Sequence, residues 1–202
     1  AETFDEIFDG LVKIRTQIAR KLGYKNFVEL GYYRMGRVDY DEKMVAAFRK
    51  SVETDIVPAV SELKERIRNR LALDKIMYYD DAISVTGEMP RPVIDTPAIF
   101  ENALKMYNDM KPEIGDFMQR MLDAEAFDVE ARDGKFGGGY CTTFAKYKQP
   151  FILANFNGTS GDIDVITHEF GHALAADYMF KFAEPDYPTG METHECHSMS
   201  ME

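Results

Sequence analysis

Apolar residues along the first seventy positions recur every three or four residues, the period of a helix with one apolar face. Phe4, Ile7, Phe8, Leu11, Ile14, Ile18 and Leu22 form one such stripe. It predicts an amphipathic helix over 4–22, stopped by Gly23 in a C-cap position. Asn26 is suited to cap a second short helix over 26–36. Residues 41–73 predict a long charged helix, bent at Pro58 because proline removes a ladder hydrogen bond. Its segment SELKERIRNR carries alternating charges that suit a solvated face. Residues 80–97 are broken by Gly87, Pro90, Pro92 and Pro97 and read as a loop. Thr96 and Pro97 then open a further helix, and helical character runs to about Ala131 with an interruption near Pro112.

The pattern changes at Asp133. The stretch DGKFGGGYCTTFAKYKQPFILANFNG is rich in glycine, aromatic and β-branched residues and predicts a hairpin. Its strands fall near 138–144 and 150–156, with a turn around Lys146–Gln149. Asn157–Gly158 is a turn signal, after which Thr159, Ser160 or Asp162 can cap a helix carrying HEFGHALAADY. The fold class expected is mainly α, with a small antiparallel hairpin beside that helix.

His168 and His172 lie four apart on the predicted helix, so their rings project from one face and can share one metal ion. Glu169 lies about 100° round the helix, placed to take a proton from a water on that metal rather than to bind the metal itself. With four histidines in 202 residues, chance predicts about 0.007 matches to this pattern. All four histidines fall between 168 and 197, and the pattern follows a predicted strand. A catalytic zinc site needs a third protein ligand. Gly and His do not recur at the downstream positions one zincin class requires, which hold Ala175 and Tyr178. The segment ETHECHSMSME offers Glu192, His194, Glu195 and His197, and spacing alone does not choose among them.

Composition narrows the rest. The net charge is -11 with no long basic run, which argues against nucleic acid as a partner. No apolar stretch is long enough to span a bilayer. Two cysteines, Cys141 and Cys196, are too few for a disulfide framework, which favours a reducing compartment; neither is assigned a role.

HEFGHA, preceded by GKFGGGYC and PFILANFNGT and followed by HECHSMSME, resembles the oligoendopeptidase F branch of the thimet-oligopeptidase-like zinc peptidases. The resemblance is strongest over 132–202; in the helical first half MYYDD is similar to a Tyr-Asp that the family carries. It implies a mainly helical zincin-like catalytic domain that cleaves short peptides in the cytoplasm, with one zinc ion per chain. It assigns His168, His172 and Glu195 as the zinc ligands, Glu195 because it begins a Glu-x-x-Ser segment ending at Ser198, and Glu169 as the catalytic base. Glu202, expected two turns later on the same helix, becomes a candidate partner for a ligand histidine, the alternative being an ordinary surface residue. The resemblance also suggests that the hairpin binds an extended peptide along a sheet edge formed by Phe151–Phe156. Gly138, Gly139, Tyr140, Ala154 and Asn155 would then line the substrate; the alternative is a hairpin that only covers the helix.

The resemblance further implies lobes on both sides of residues 1–202, including a downstream His- and Tyr-rich loop that stabilises the oxyanion. The chain therefore reads as an internal part of one catalytic domain, helical over 1–131, with hairpin, zinc helix and third-ligand helix over 132–202. Without an oxyanion donor its own activity is expected to be weak. Many relatives carry histidine where this chain has Ala175. Two other readings stand beside the endopeptidase. An aminopeptidase of a related glutamate-zincin class would hold a free amino terminus, and a helical binding module would use the metal only to fix its fold. Manganese or cobalt can also occupy such a ligand set in vitro.

Overall fold

The structure, a computed structural model, describes residues 2–83, 85–87, 91, 94–182 and 190–202, with the side chain of Phe182 left aside. It divides into two compact units, 1–87 and 88–202.

The first unit is a string of helices set by local signals: α1 (Glu2–Lys21), α2 (Phe27–Arg34), α3 (Glu42–Ser51) and α4 (Val57–Arg70). Gly23, at φ +90°, ends α1, and Tyr24 N–H reaches back to the Ala19 carbonyl. Asn26 caps α2 by accepting from Val28 N–H, and Asp41 caps α3 by accepting from Lys43 and Met44 N–H. The long helix expected over 41–73 is interrupted by a single π-helical stretch, Val52–Ile56. The wider turn absorbs the lost hydrogen bond ahead of Pro58, which then sits in the first turn of α4. The apolar stripe of α1 is real but uncovered: Phe4 is 78% exposed and Phe8 68%, and Ala19 is the one residue of α1 described as buried.

Part of the expected loop 80–97 lies outside the described residues. The Tyr78–Asp80 segment just before it is a 3-10 turn whose Asp80 carboxylate accepts from Met77 N–H.

The second unit holds α5 (Thr96–Met110), α6 (Pro112–Asp123), β1 (Phe127–Glu130), β2 (Tyr140–Phe144), β3 (Gln149–Phe156), α7 (Gly161–Phe182) and α8 (Met191–Met199). Asp95 caps α5. Its core interleaves Tyr107 of α5, Phe117, Met118 and Met121 of α6, Ile152 and Ala154 of β3, and Phe170 of α7. Tyr107 stacks on Phe170 with ring centroids 4.2 Å apart, and Phe117 lies 5.4 Å from the same ring.

Two expectations need correction. Helical character was expected to reach Ala131, but Phe127–Glu130 is a strand running parallel to β3, Phe127 opposite Ile152. Pairing with β3, with the aromatic and β-branched residues Phe127 and Val129, outweighs the preceding helical period. The sheet is therefore mixed, with order β1-β3-β2, and β3 is its central strand. The free edge on the hairpin side is β2, not Phe151–Phe156. Among the described residues no helix is long and apolar enough to cross a membrane.

Candidate metal centre

The Asn157–Gly158 turn swings the chain from β3 into α7. Its backbone N–H groups are both held by the Asp162 carboxylate, at 2.9 and 2.8 Å, which fixes where α7 starts relative to the sheet. Helical spacing then sets His168 and His172 on one face. The segment ending in α8 brings Glu195 against them. Glu195 Oε2 lies 3.3 Å from His168 Nε2 and 3.6 Å from His172 Nε2. Ligand atoms tetrahedrally placed around a zinc ion about 2.0–2.1 Å away stand about 3.3 Å from one another, so the three side chains fit such an ion. Among the described residues they form the cluster able to hold a metal. Glu192, His194 and His197 stay outside it.

The close approach of α8 to α7 rests on a glycine. A Cβ built on Gly171 would come within 2.7 Å of the His197 carbonyl oxygen and of Ser198 Cα, both backbone. Ser198 is fully buried there, and its hydroxyl donates to Glu195 Oε2 at 2.8 Å, fixing that carboxylate's rotamer. Helix α8 ends at Met199, so Glu202 lies in the turn beyond it rather than on the helix. Its Oε1 is nevertheless 2.6 Å from His168 Nδ1. A carboxylate only accepts, so Nδ1 carries the proton and Nε2 presents its lone pair toward Glu195. Burial holds the His172 pKa below the usual imidazole value, which favours the neutral form a metal requires.

Glu169 is 8% exposed, and burial raises its carboxyl pKa above the ordinary glutamate range. The opposing influences are His168 and a hydrogen bond from the Cys141 backbone N–H. The Cys141 thiol is pushed up to about 12, chiefly by burial and then by the Glu169 charge, so it is a protonated, unreactive thiol at neutral pH. Gly139 packs against α7 so closely that a Cβ there would meet Val165 at 2.8 Å.

These groups share a cavity of about 500 Å3. Gly139 and Tyr140 line it, as do Cys141 and Thr143 of β2, together with His168, Glu169, His172 and Glu195. Ala176, Met179, Met191 and His194 complete the wall; of these only His194, a candidate ligand, carried a signal in the sequence beyond helical spacing. Gly138, Ala154 and Asn155 do not line it. Ala154 is fully buried on the central strand, and its carbonyl accepts from Lys135 Nζ at 2.6 Å. Asn155 spends its side-chain amide on the loop before β2. Lys135 itself escaped the sequence reading. Its side chain is 2% exposed, and its ammonium also donates to the Asp128 carboxylate and to the carbonyls of Asp128 and Glu130.

The model of Peptidase family M3 matches residues 1–202. The chain belongs to that family. The M3 chain is 52% identical to PZ peptidase A, solved with an inhibitor, with a TM-score of 0.92 over 99% of its own residues and 36% of that chain. An oligoendopeptidase F structure from Bacillus anthracis strain Ames is 48% identical, with a TM-score of 0.90 over 99% of this chain and 37% of that one. A curated relative, the oligoendopeptidase F homolog of Mycoplasma genitalium, is 24% identical over 146 residues, 71% of this chain and 23% of the relative. The M3 chain thus spans little more than a third of the solved relatives it matches.

Proposed function

We propose that the M3 chain carries the catalytic centre of a zinc-dependent endopeptidase acting on short peptides, within a larger enzyme in which both units belong to one catalytic domain. The observation that carries this reading is the convergence of two imidazole Nε2 atoms and Glu195 Oε2 beside a buried glutamate in an open cavity. His168, His172 and Glu195 would hold one zinc ion; when bound, it supplies Lewis acidity toward a peptide carbonyl and acidifies a water. Glu169 accepts that water's proton at its carboxylate and returns it to the leaving amine. Its raised pKa suits both halves of that exchange, since a more basic carboxylate accepts more readily and its acid still donates. Ser198 and Glu202 orient Glu195 and His168, so the ligand set is ordered before substrate arrives.

The free β2 edge beside Glu169 suits an extended peptide pairing through its backbone, which binds many sequences alike. Gly139 and Tyr140 are the residues of the expected substrate set that border the cavity. A purely structural metal would draw a fourth protein ligand. His194 borders the cavity yet stays outside the three-residue cluster, which favours catalysis. The setting proposed is a reducing, cytoplasmic one, in keeping with two free cysteines.

In the full-length enzyme, Glu169→Gln is expected to keep the metal, by elemental analysis, and to lower kcat on an N-acetylated quenched peptide by about 10³-fold or more. Retained cleavage by that variant would refute the mechanism. An inability of the parent enzyme to cut the blocked peptide would point instead to an aminopeptidase.

A further inference from the structure

The ladder between β2 and β3 begins at the Tyr140–Leu153 pair, yet the chain ahead of Tyr140 stays beside β3 through a side chain. Asn155 Nδ2 donates to the Phe136 carbonyl at 2.9 Å and to the Gly138 carbonyl at 2.8 Å. A side-chain amide carries two N–H groups, enough for both. Among the described residues no peptide bond is cis, and in a trans peptide the carbonyl points opposite to the following N–H. Drawing the carbonyls of 136 and 138 toward Asn155 therefore turns the N–H groups of Gly137 and Gly139 away from it. Neither N–H has a hydrogen-bond partner among the described residues. The next N–H in the same alternation, that of Cys141, reaches the Glu169 carboxylate. Gly139 borders the cavity, and residues 137, 138 and 139 are exposed and carry no side chain of their own over these donors. Gly138 sits at φ +89°, a conformation other residues rarely adopt, so the loop depends on that glycine to hold this course.

We infer that Asn155 is a positioning residue of the substrate edge: by drawing in the Phe136 and Gly138 carbonyls it aims the N–H groups of Gly137 and Gly139 along the edge on which, in the function proposed above, the peptide main chain pairs. Asn155 itself touches no substrate. The recognised chemistry is the alternate carbonyls of an extended backbone, which point to one side whatever the side chains are. The inference rests on the peptidase reading and deepens it, naming the side chain that holds the approach to β2 in place.

The test uses the full-length zinc-loaded enzyme. Asn155→Asp keeps the shape but sets an acceptor against two carbonyls, and Asn155→Ala removes the donor. Both are expected to raise KM for a quenched peptide about tenfold while kcat changes less than about threefold, with zinc content unchanged. To separate a loss of structure in those variants from a loss of positioning, a second measurement leaves Asn155 intact. In the Glu169→Gln enzyme, which leaves the peptide uncut, adding peptide should slow hydrogen exchange across 136–139. Exchange unaltered by peptide, or an unchanged KM in both Asn155 variants, overturns the inference while the enzyme still cleaves. A wild-type enzyme that cleaves no peptide overturns the peptidase reading instead.

Discussion

Lys135 and Asp128 form an ion pair outside the metal centre. The ammonium is almost wholly buried and ties the Asp128 carboxylate to three carbonyls on two strands. Hydrogen bonds from Arg132 and Lys135 hold the Asp128 carboxyl well below the usual carboxylate range. A carboxyl with a depressed folded-state pKa contributes stability above its unfolded value, about 3.9, and loses it as pH falls through the folded value. Asp128→Asn is therefore expected to destabilise the protein by about 2–3 kcal/mol at pH 7 in chemical denaturation. The gap between variant and wild type should narrow as the pH is taken below about 4. At this scale, what the sequence made legible was what repeats locally. His168, Glu169 and His172 declare themselves through helical spacing. Lys135 and Asn155 do not, because their partners are carbonyls nineteen residues away or on another strand, and carbonyls carry no sequence signal.

Among the elements, the meeting of α7 and α8 decides whether the ligands converge. Gly171 is where they touch, and a methyl group there collides with backbone that has no rotamer to give. Gly171→Ala is expected to push α8 outward and weaken zinc binding about 10–100-fold, read by competition with a chelator. Ser198→Ala should cost less in stability but fall in the same range for metal affinity, since it frees the Glu195 rotamer. HEFGHA displays this glycine openly, but the reason for it lies in a partner helix some two dozen residues later. The same limit explains β1: four residues after a strong helical run give little periodicity, and pairing with β3 is what makes them a strand. It also explains the misplaced edge, since a hairpin read from sequence has two edges until a third strand claims one.

For the whole molecule, the contrast is between the two units. The second buries a core of aromatic and aliphatic side chains from two helices, the sheet and α7, while in the first the stripe on α1 stays open to solvent. Large exposed apolar faces promote association. The 202-residue chain alone is expected to bind a hydrophobic dye and to scatter light as a self-associating species. Phe4→Ser with Phe8→Ser should reduce both signals without altering zinc content. Amphipathic spacing thus identified the helix correctly but not what covers it, because periodicity reports that a face is apolar and says nothing of its neighbour. The division of the ligands between α7 and α8 has one more outcome. In the proposed function, two ligands on one helix and the third on the next would make a bound ion a clasp between them, so its occupancy and the attachment of α8 would be thermodynamically linked. At free zinc a hundredfold above Kd, the clasp would add about 2.7 kcal/mol against release of α8. Stripping the ion with a chelator should then make residues 190–202 newly sensitive to a protease, at a rate that tracks the zinc concentration.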